Sequence, residues 1–447
     1  MHWRPKGHAS VESSLHETAF VLSVGPCEPH ASGMNSTRDH QPVAIVLGGT
    51  SPHAELCRLL KARGYHTLLI DYYERPCAKA AADEHLRVST LDQERVLEIA
   101  RNRAASLVLA TCIDQANVTA CYVLERLGKF APYSYQTAVA VSTKSIMKAI
   151  MIKHGIPTSR FVQVSDTAST HWRGLNFPLI VKPCDSNSSK GVRRCDSPEQ
   201  VERHLASALG ISRRHEAVVE EFKDGREIAF DSYVMNGRVH LMMTRERRKI
   251  TGFRDSIQQI YGSFWPAHVS GPTQQRLVAV GEWIARVFQL DNTPLMMQAI
   301  ISGDQISVIE FAPRIGGGEN HRIIKMATGF DLIDAAIDSF LGRRPVLNQR
   351  EPGRVFLDNY LYAKPCLLGR VEGMEELLQD GVIDCFETYK STGFEVGESI
   401  SSNNRVGAFI VSGASEQECL ETLRRAVSRV EIFDCAGNPV MLREIYD

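Results

Sequence analysis

The stretch Val308-Ile-Glu-Phe-Ala-Pro-Arg-Ile-Gly-Gly-Gly-Glu-Asn-His-Arg322 decides how this chain is read. An apolar strand ends in one carboxylate, Glu310. Arg314 follows four residues later, and then come three consecutive glycines. A strand-end acid beside an arginine and a bare backbone loop suits a divalent cation and a phosphate held together, because the carboxylate is a hard oxygen ligand and exposed N–H groups can approach an anion. Such a site needs a nucleotide, and three stretches upstream carry residues for one.

Phe177-Pro-Leu-Ile-Val-Lys-Pro183 reads as a strand in which Lys182, locked by the following proline, is aimed at one place. The next loop offers Ser186, Ser188, Ser189, Lys190 and Gly191: hydroxyls, a second lysine and a glycine whose N–H can meet an anion. Upstream, Thr143–His154 reads as a helix capped by Ser142 or Thr143 and ended by Gly155 and Pro157, with Lys144 in its first turn. Downstream, the strand 216–222 ends in Glu220 and Glu221, and Asp224-Gly225 turns the chain into a strand that starts at Glu227. Carboxylates there can accept from an adenine amino group or from ribose hydroxyls. Taken singly, each lysine also fits a solvated surface charge, and each acid a strand end in water.

Bulk composition bounds the rest. A chain of 447 residues is too long for one core, and about three domains follow from usual domain sizes. Hydrophobic residues at 43% and charged residues at 23% describe an ordinary globular protein, and a net charge of −1 provides no field for nucleic acid or an anionic membrane. No segment has the roughly 18 apolar residues of a membrane span. The 11 cysteines form neither a C-x-x-C pair nor a zinc-spaced cluster, which points to reduced thiols in a cytoplasmic protein.

Residues 1–41, rich in His, Ser, Pro and Gly, read as a disordered tail, within which Met34 is an alternative start. Residues 42–132 alternate strand and helix: Val43-Ala-Ile-Val-Leu into Gly48-Gly49, a helix from His53 to Arg63, a strand at 66–71, a helix near 91–104 and a strand at 106–110. That alternation is the mark of a parallel α/β unit. The glycine pair lacks the third glycine of a dinucleotide fingerprint, and a structural or substrate-facing turn accounts for it. Residues 133–345 mix antiparallel strands with helices, including a hairpin at Asn236-Gly237 and another around Ser302-Gly-Asp304. Residues 346–447 form a smaller α+β unit with a helix at 415–429.

Together these motifs resemble the ATP-grasp superfamily of carboxylate–amine ligases. They are Thr143-Lys144 with Met147-Lys148, Pro178-Leu-Ile-Val-Lys-Pro183 with its Ser-Ser-Lys-Gly loop, Glu220-Glu-Phe222 with Gly225-Arg-Glu227, and Glu310-Phe-Ala-Pro-Arg314. The first region resembles a pre-ATP-grasp domain, and the tail resembles the C-terminal lid domain of L-amino acid ligases. The resemblance implies an ATP-dependent ligase with ATP and magnesium or manganese as cofactors. Such an enzyme activates a small carboxylate as an acyl-phosphate, which an amine then attacks. It further implies Lys144 and Lys182 on the phosphates, Ser186–Gly191 as a mobile loop, Glu220, Glu221, Phe222 and Lys223 around adenine, and Glu227 on ribose. Glu310 becomes the main metal ligand, and Arg314 stabilises the transferring phosphoryl. Small carboxylates and amines are the implied partners, with a homodimer allowed.

Two positions depart from the family pattern. Ala312 stands where many members have Asn, so an oxygen ligand is missing on the face of Glu310. Gln298 stands where an acid is usual, and it reaches the face of Glu310 only if the hairpin carries an odd loop or a bulge. Gly316, Gly317, Glu319, His321 and Arg322 are candidates for gripping amino-acid ends, or else the start of a surface helix; Arg247, Arg248 and Arg254 form a basic patch that reads as solvated charge, with phosphate or a substrate carboxylate as its alternative partner. Three rival classes fit parts of the pattern. They are a carboxylase or carbamoyl-phosphate-synthase-like enzyme, a nucleotide-binding regulator with a degenerate metal site, and a dehydrogenase resting on Gly48-Gly49 alone.

Overall fold

In the computed structural model, residues 41–187, 189–251, 259–350, 352–398 and 400–446 are described, and every count below is of these. The tail expectation for residues 1–41 lies outside them except for Gln41, as do Ser188 and Arg254.

The first region is the expected parallel unit. Its strands and helices are β1 (Val43–Leu47), α1 (Ser51–Ala62), β2 (His66–Ile70), β3 (Glu84–Leu86), α2 (Gln93–Asn102), β4 (Leu107–Leu109) and α3 (Asp114–Arg126). The strands pair in the order β3-β2-β1-β4, all parallel, with the helices covering apolar strand faces. The Gly48-Gly49 turn is filled from within. A Cβ on Gly48, which sits at φ +114°, would fall 2.7 Å from the His53 ring, and one on Gly49 would fall 2.3 Å from Pro76. Side-chain packing therefore explains both glycines.

Next come α4 (Tyr135–Ser142), α5 (Lys144–Lys153), β5 (Phe161–Val164), β6 (Leu179–Pro183), β7 (Arg193–Cys195), α6 (Pro198–Ile211) and β8 (Ala217–Glu221). Here the strands form a four-stranded antiparallel sheet, β5-β8-β6-β7, backed by α6. The chain then builds β9 (Arg226–Met235), β10 (Arg238–Lys249), β11 (Ile260–Trp265), α7 (Gly271–Val287), β12 (Thr293–Ser302), β13 (Gln305–Ala312), α8 (Asn320–Thr328) and α9 (Leu332–Phe340). Asn236 and Gly237 sit at φ 55° and 71°, the two left-handed residues that a tight hairpin turn requires, and they join Met235 to Arg238.

The last region adds β14 (Val355–Tyr362), β15 (Cys366–Glu372), α10 (Met374–Gln379), β16 (Cys385–Thr388), β17 (Glu395–Val396), β18 (Arg405–Gly413), α11 (Glu416–Arg429) and β19 (Glu431–Asp434). Three of its strands extend the central sheet, which runs β13-β12-β9-β10-β11-β14-β18-β16, antiparallel throughout. The seam is β11 against β14, with Ser263 opposite Asp358. One sheet face is thus shared by strands on both sides of residue 346. The ten described cysteines are free, and no described helix is long and apolar enough to cross a membrane.

Candidate active site

The hairpin β12–β13 sets the centre of the site. Its two-residue turn pairs Ser302 with Gln305, and undisturbed pairing would put Gln298 opposite Ile309. A bulge intervenes: Ala299 pairs with Val308, and Gln298 then pairs with Glu310. One extra residue returns both side chains to one face, which is the register that a shared cation needs. Ala312, 3% exposed, pairs with Met296 on the same face and adds no oxygen.

Glu310 meets Lys144. The ammonium lies 3.1 Å from Glu310 Oε2 and donates to the Ser186 carbonyl at 2.7 Å. Lysine in the first turn of a helix opposes the helix dipole, and a carboxylate offsets that cost here. Burial pushes the Glu310 carboxyl up, but Lys144, Lys182 and Arg314 outweigh it and hold it at about 2.

Beside this pair is a second buried cluster. The β6–β8 register sets Ile180 opposite Glu220, so Lys182 lies diagonal to Glu220 on one face. Lys182 donates to Glu220 Oε1, and Lys148, fully buried one turn beyond Lys144, lies 2.8 Å from Glu220 Oε2. Lys148 also reaches Thr158, whose hydroxyl donates to the Val308 carbonyl at 2.8 Å and so ties the cluster to β13. Burial raises the Glu220 carboxyl, and the two lysines outweigh it, bringing it to about 2. Three lysines therefore meet two glutamates, which leaves one positive charge in excess. Expected on adenine, Glu220 instead has both oxygens turned to lysines. Lys148 was matched in the sequence without a role, because nothing local shows that it is buried.

Other expected positions also take partners. Glu227 is paired with Arg247 at 2.7 Å and Lys249 at 2.8 Å, which hold its carboxyl low against burial. Arg247 also donates to Gln298 Oε1 at 3.1 Å. The solvated-patch reading of Arg247 is therefore corrected, because it is drawn in by a buried acid on the neighbouring strand. Arg248 stacks on Tyr261, 4.3 Å from the ring centre, and donates to Asn359. Glu221 accepts from Asn176 N and Nδ2 and pairs with Arg160 and Lys223, away from the lysine cluster. The Phe222 N–H donates to Pro178, and its ring lies under Arg194.

The loop after Lys182 is held against α3. The Gln115 amide donates to the Asp185 carbonyl at 2.9 Å, and Asn187 donates back to Gln115. Ser186 donates to Lys190 O within the loop, Lys190 is exposed, and Ser189 and Gly191 take φ of 56° and 75°.

Arg314 is partly buried with its fork on Asp114, Nε and Nη2 at 2.8 and 2.9 Å. Burial would lower its pKa, and Asp114 raises it instead. Asp114 opens α3, two hundred residues upstream, and no sequence signal pairs the two. Arg314 therefore turns two of its five N–H groups to Asp114 and a third to the Ile315 carbonyl. Asp114, Gln115, Lys144, Glu310 and Arg314 line one small cavity.

Glu319 and Arg322 lie 2.7 Å apart; Tyr389 donates to Glu319, and Arg322 reaches Glu387 on β16. Both are engaged in bridging the N-terminal, central and C-terminal segments, which corrects the exposed-helix-start alternative. His321 is buried, and burial pushes it down to about 3, so its ring is neutral. Gly317 faces open space, whereas Gly316 and Gly318 are packed.

Among the described residues no three His, Cys, Asp or Glu side chains converge on one point. A magnesium ion suits this donor set, because it binds through one or two carboxylates and takes further oxygens from phosphates and water. The excess lysine charge next to Glu310 suits those phosphates.

The chain resembles known proteins in both sequence and fold. Residues 175–321 match the ATP-grasp domain, and residues 359–433 match the L-amino acid ligase C-terminal domain 2. The chain is 24% identical over 412 residues to the formate-dependent phosphoribosylglycinamide formyltransferase of Ignicoccus hospitalis, covering 88% of this chain and 96% of that one. It is 24% identical over 286 residues to the phosphoribosylamine–glycine ligase of Lactococcus lactis, covering 60% and 67%. Among solved structures, the L-amino acid ligase from Bacillus licheniformis superposes with a TM-score of 0.72 at 17% identity over 88% of this chain and 99% of that one. The biotin carboxylase domain of Hydrogenobacter thermophilus 2-oxoglutarate carboxylase, in complex with MgADP, superposes at 0.70 with 17% identity over 90% and 92%. The fold is ATP-grasp.

Proposed function

We propose that the chain is an ATP-dependent ligase of the ATP-grasp family that joins a small carboxylate, an amino acid, to an amine through an amide bond, with release of ADP and phosphate. The observation that carries this reading is the Lys144–Glu310 contact at 3.1 Å, with Gln298 on the opposite strand and the Lys148–Glu220–Lys182 cluster alongside. The L-amino acid ligase C-terminal domain at residues 359–433 supports the amino-acid class.

ATP, when bound with magnesium, supplies the phosphoryl group that turns a carboxylate oxygen into a good leaving group. Glu310 and Gln298 would hold the metal, and the Gln298 oxygen, which accepts from Arg247, would be the uncharged ligand. Lys144 and Lys182 neutralise phosphate oxygens; each is already held against a carboxylate, so little side-chain freedom is lost on binding. Arg314, oriented by Asp114, turns its remaining N–H groups to the activated carboxylate. The loop 185–191, tethered through Gln115, excludes water that would hydrolyse the acyl-phosphate.

The decisive experiment screens amino-acid pairs for ADP release, with mass spectrometry of the products. ADP release that needs both a carboxylate and an amine is expected. Bicarbonate dependence would instead point to a carboxylase, and nucleotide binding without turnover to a regulator. Glu310→Ala is expected to cut turnover by about 100-fold or more, the usual cost of removing a group that stabilises transferring charge. Full turnover in that variant would overturn the site assignment.

A further inference from the structure

The sheet face that carries Glu310 continues past the nucleotide end into the C-terminal strands. One line of side chains crosses β9, β10, β11 and β14 as Glu227, Arg247, Ser263 and Asp358. Arg247 bonds Glu227, Ser263 is the cross-strand partner of Arg247, and Asp358 is the cross-strand partner of Ser263. Such partners share a face, with their Cβ atoms about 5 Å apart. At the Glu227 end the charges are paired. At the Asp358 end the hydrogen bonding thins out. Asp358 is 1% exposed, and apart from the Tyr360 hydroxyl no described residue hydrogen-bonds its carboxylate; buried Ser263 Oγ has no partner among the described residues.

The neighbouring cation does not resolve this. Arg245, also buried, spends Nε on Asp231 at 3.0 Å, with Asp358 and Tyr360 within electrostatic reach. Asp231 and Asp358 share Arg245, two carboxylates to one guanidinium, so one negative charge is in excess. A buried carboxylate without full compensation is costly, and a further cation or set of donors stabilises it.

The loop that follows Arg314 closes over the same cluster. A Cβ on Gly316 would fall 2.8 Å from Asp231 Oδ1 and 3.1 Å from Arg245 Nη2, and one on Gly318 would fall 2.5 Å from Tyr360 Oη. The glycines thus bring the loop after Arg314 directly against the cluster, where no larger residue fits.

We propose that Asp358 and Ser263 bind the ammonium group of the amine substrate, an α-amino acid whose own carboxylate turns to the terminal nitrogens of Arg245. The three N–H donors of an ammonium match the two carboxylate oxygens and the serine oxygen, and the planar guanidinium suits a carboxylate. The word substrate rests on the ligase reading; the binding site does not.

Binding is therefore tested apart from turnover, by thermal unfolding of the full-length protein with each of the twenty L-amino acids, their 2-hydroxy acid analogues, and ammonium, potassium or magnesium chloride at equal ionic strength. At least one amino acid is expected to raise the unfolding midpoint where its 2-hydroxy analogue does not. Its apparent Kd should rise at least tenfold in Asp358→Asn and about threefold in Ser263→Ala, the range for losing a charged and a neutral hydrogen bond. Should Asp358→Asn not fold, the Ser263→Ala shift decides. The proposal is overturned if no amino acid stabilises the protein, if stabilisation survives unchanged in the variants, or if potassium or magnesium alone reproduces it. Amino-acid binding without any ADP release would sink the ligase reading and leave this site standing; amine-dependent ADP release that is indifferent to Asp358 would do the reverse.

Discussion

Two regions of the molecule treat charge in opposite ways. At the hairpin end of the central sheet Glu310 is matched by lysine and Glu227 by Arg247 and Lys249, and on the adjacent four-stranded sheet Glu220 is matched by two lysines. At the β14 end Asp358 is buried and shares the one guanidinium of Arg245 with Asp231. The paired end is a preorganised receptor for polyanions, already assembled and rigid. The unmatched end is in deficit, and its missing partner must be cationic. On a ligase such a division has a chemical sense, because one substrate must be activated among positive charges while the other must arrive as an amine.

Stability is the sharpest way to break this comparison. Glu220→Gln leaves Lys148 and Lys182 buried without their carboxylate, and about 3–5 kcal/mol should be lost, the usual cost of removing one partner of a buried pair. Asp358→Asn removes the carboxylate in excess over Arg245, so without ligand it should cost far less, about 1 kcal/mol or below. Urea unfolding of both variants settles the matter, and equal losses would erase the distinction.

Acid tests the same contrast more gently. Glu220 and Glu310 are held at about 2, below the ordinary glutamate value of 4.5. A carboxylate depressed in the folded state stabilises fully above its unfolded pKa, and that contribution is lost as pH falls from about 4.5 towards 2. The urea midpoint should therefore drop steeply across that window, and Glu220→Gln should flatten the drop. A midpoint unchanged between pH 5 and 3 would refute the paired state.

Gly316 reports on the unmatched end. Gly316→Ala puts a methyl against Asn320, Asp231 and Arg245, at 2.4–3.1 Å. A destabilisation of about 1–3 kcal/mol is expected from overpacking, with a weakened response to amino acids. A neutral substitution would show that the cluster is looser than drawn.

What could be read from the sequence follows the same division. The hairpin, the strand-end Glu310, the Lys-Pro strand and the parallel first sheet were legible because each is written in neighbouring residues, as turn chemistry, strand endings and alternation. The bulge condition for Gln298 could even be stated in advance, since register is arithmetic on a hairpin. Asp114 under Arg314, Lys148 inside the Glu220 cluster and the row from Arg247 to Asp358 were not legible. They depend on which strands and helices become neighbours across 40 to 200 residues, and each residue alone looks like an ordinary surface charge. The β11–β14 seam, which makes the central and C-terminal strands one sheet, is of the same kind.

The smallest expected effect bears on the weakest part of the paired end. Gln298 faces Glu310 across the bulge but brings no charge, and Ala312 brings no oxygen. Gln298→Glu would give the site a second carboxylate on the correct face, and Arg247, 3.1 Å from the present side-chain oxygen, would accept it as a partner. Two effects then compete: a second anionic ligand favours the metal, while Arg247 holds that ligand back. The magnesium concentration giving half-maximal ADP release should fall only a few-fold, and Arg247→Gln in the same chain should deepen the fall. If Gln298→Glu instead left the magnesium requirement unchanged in both backgrounds, Gln298 would be no ligand. The metal would then rest on Glu310 and the phosphates alone.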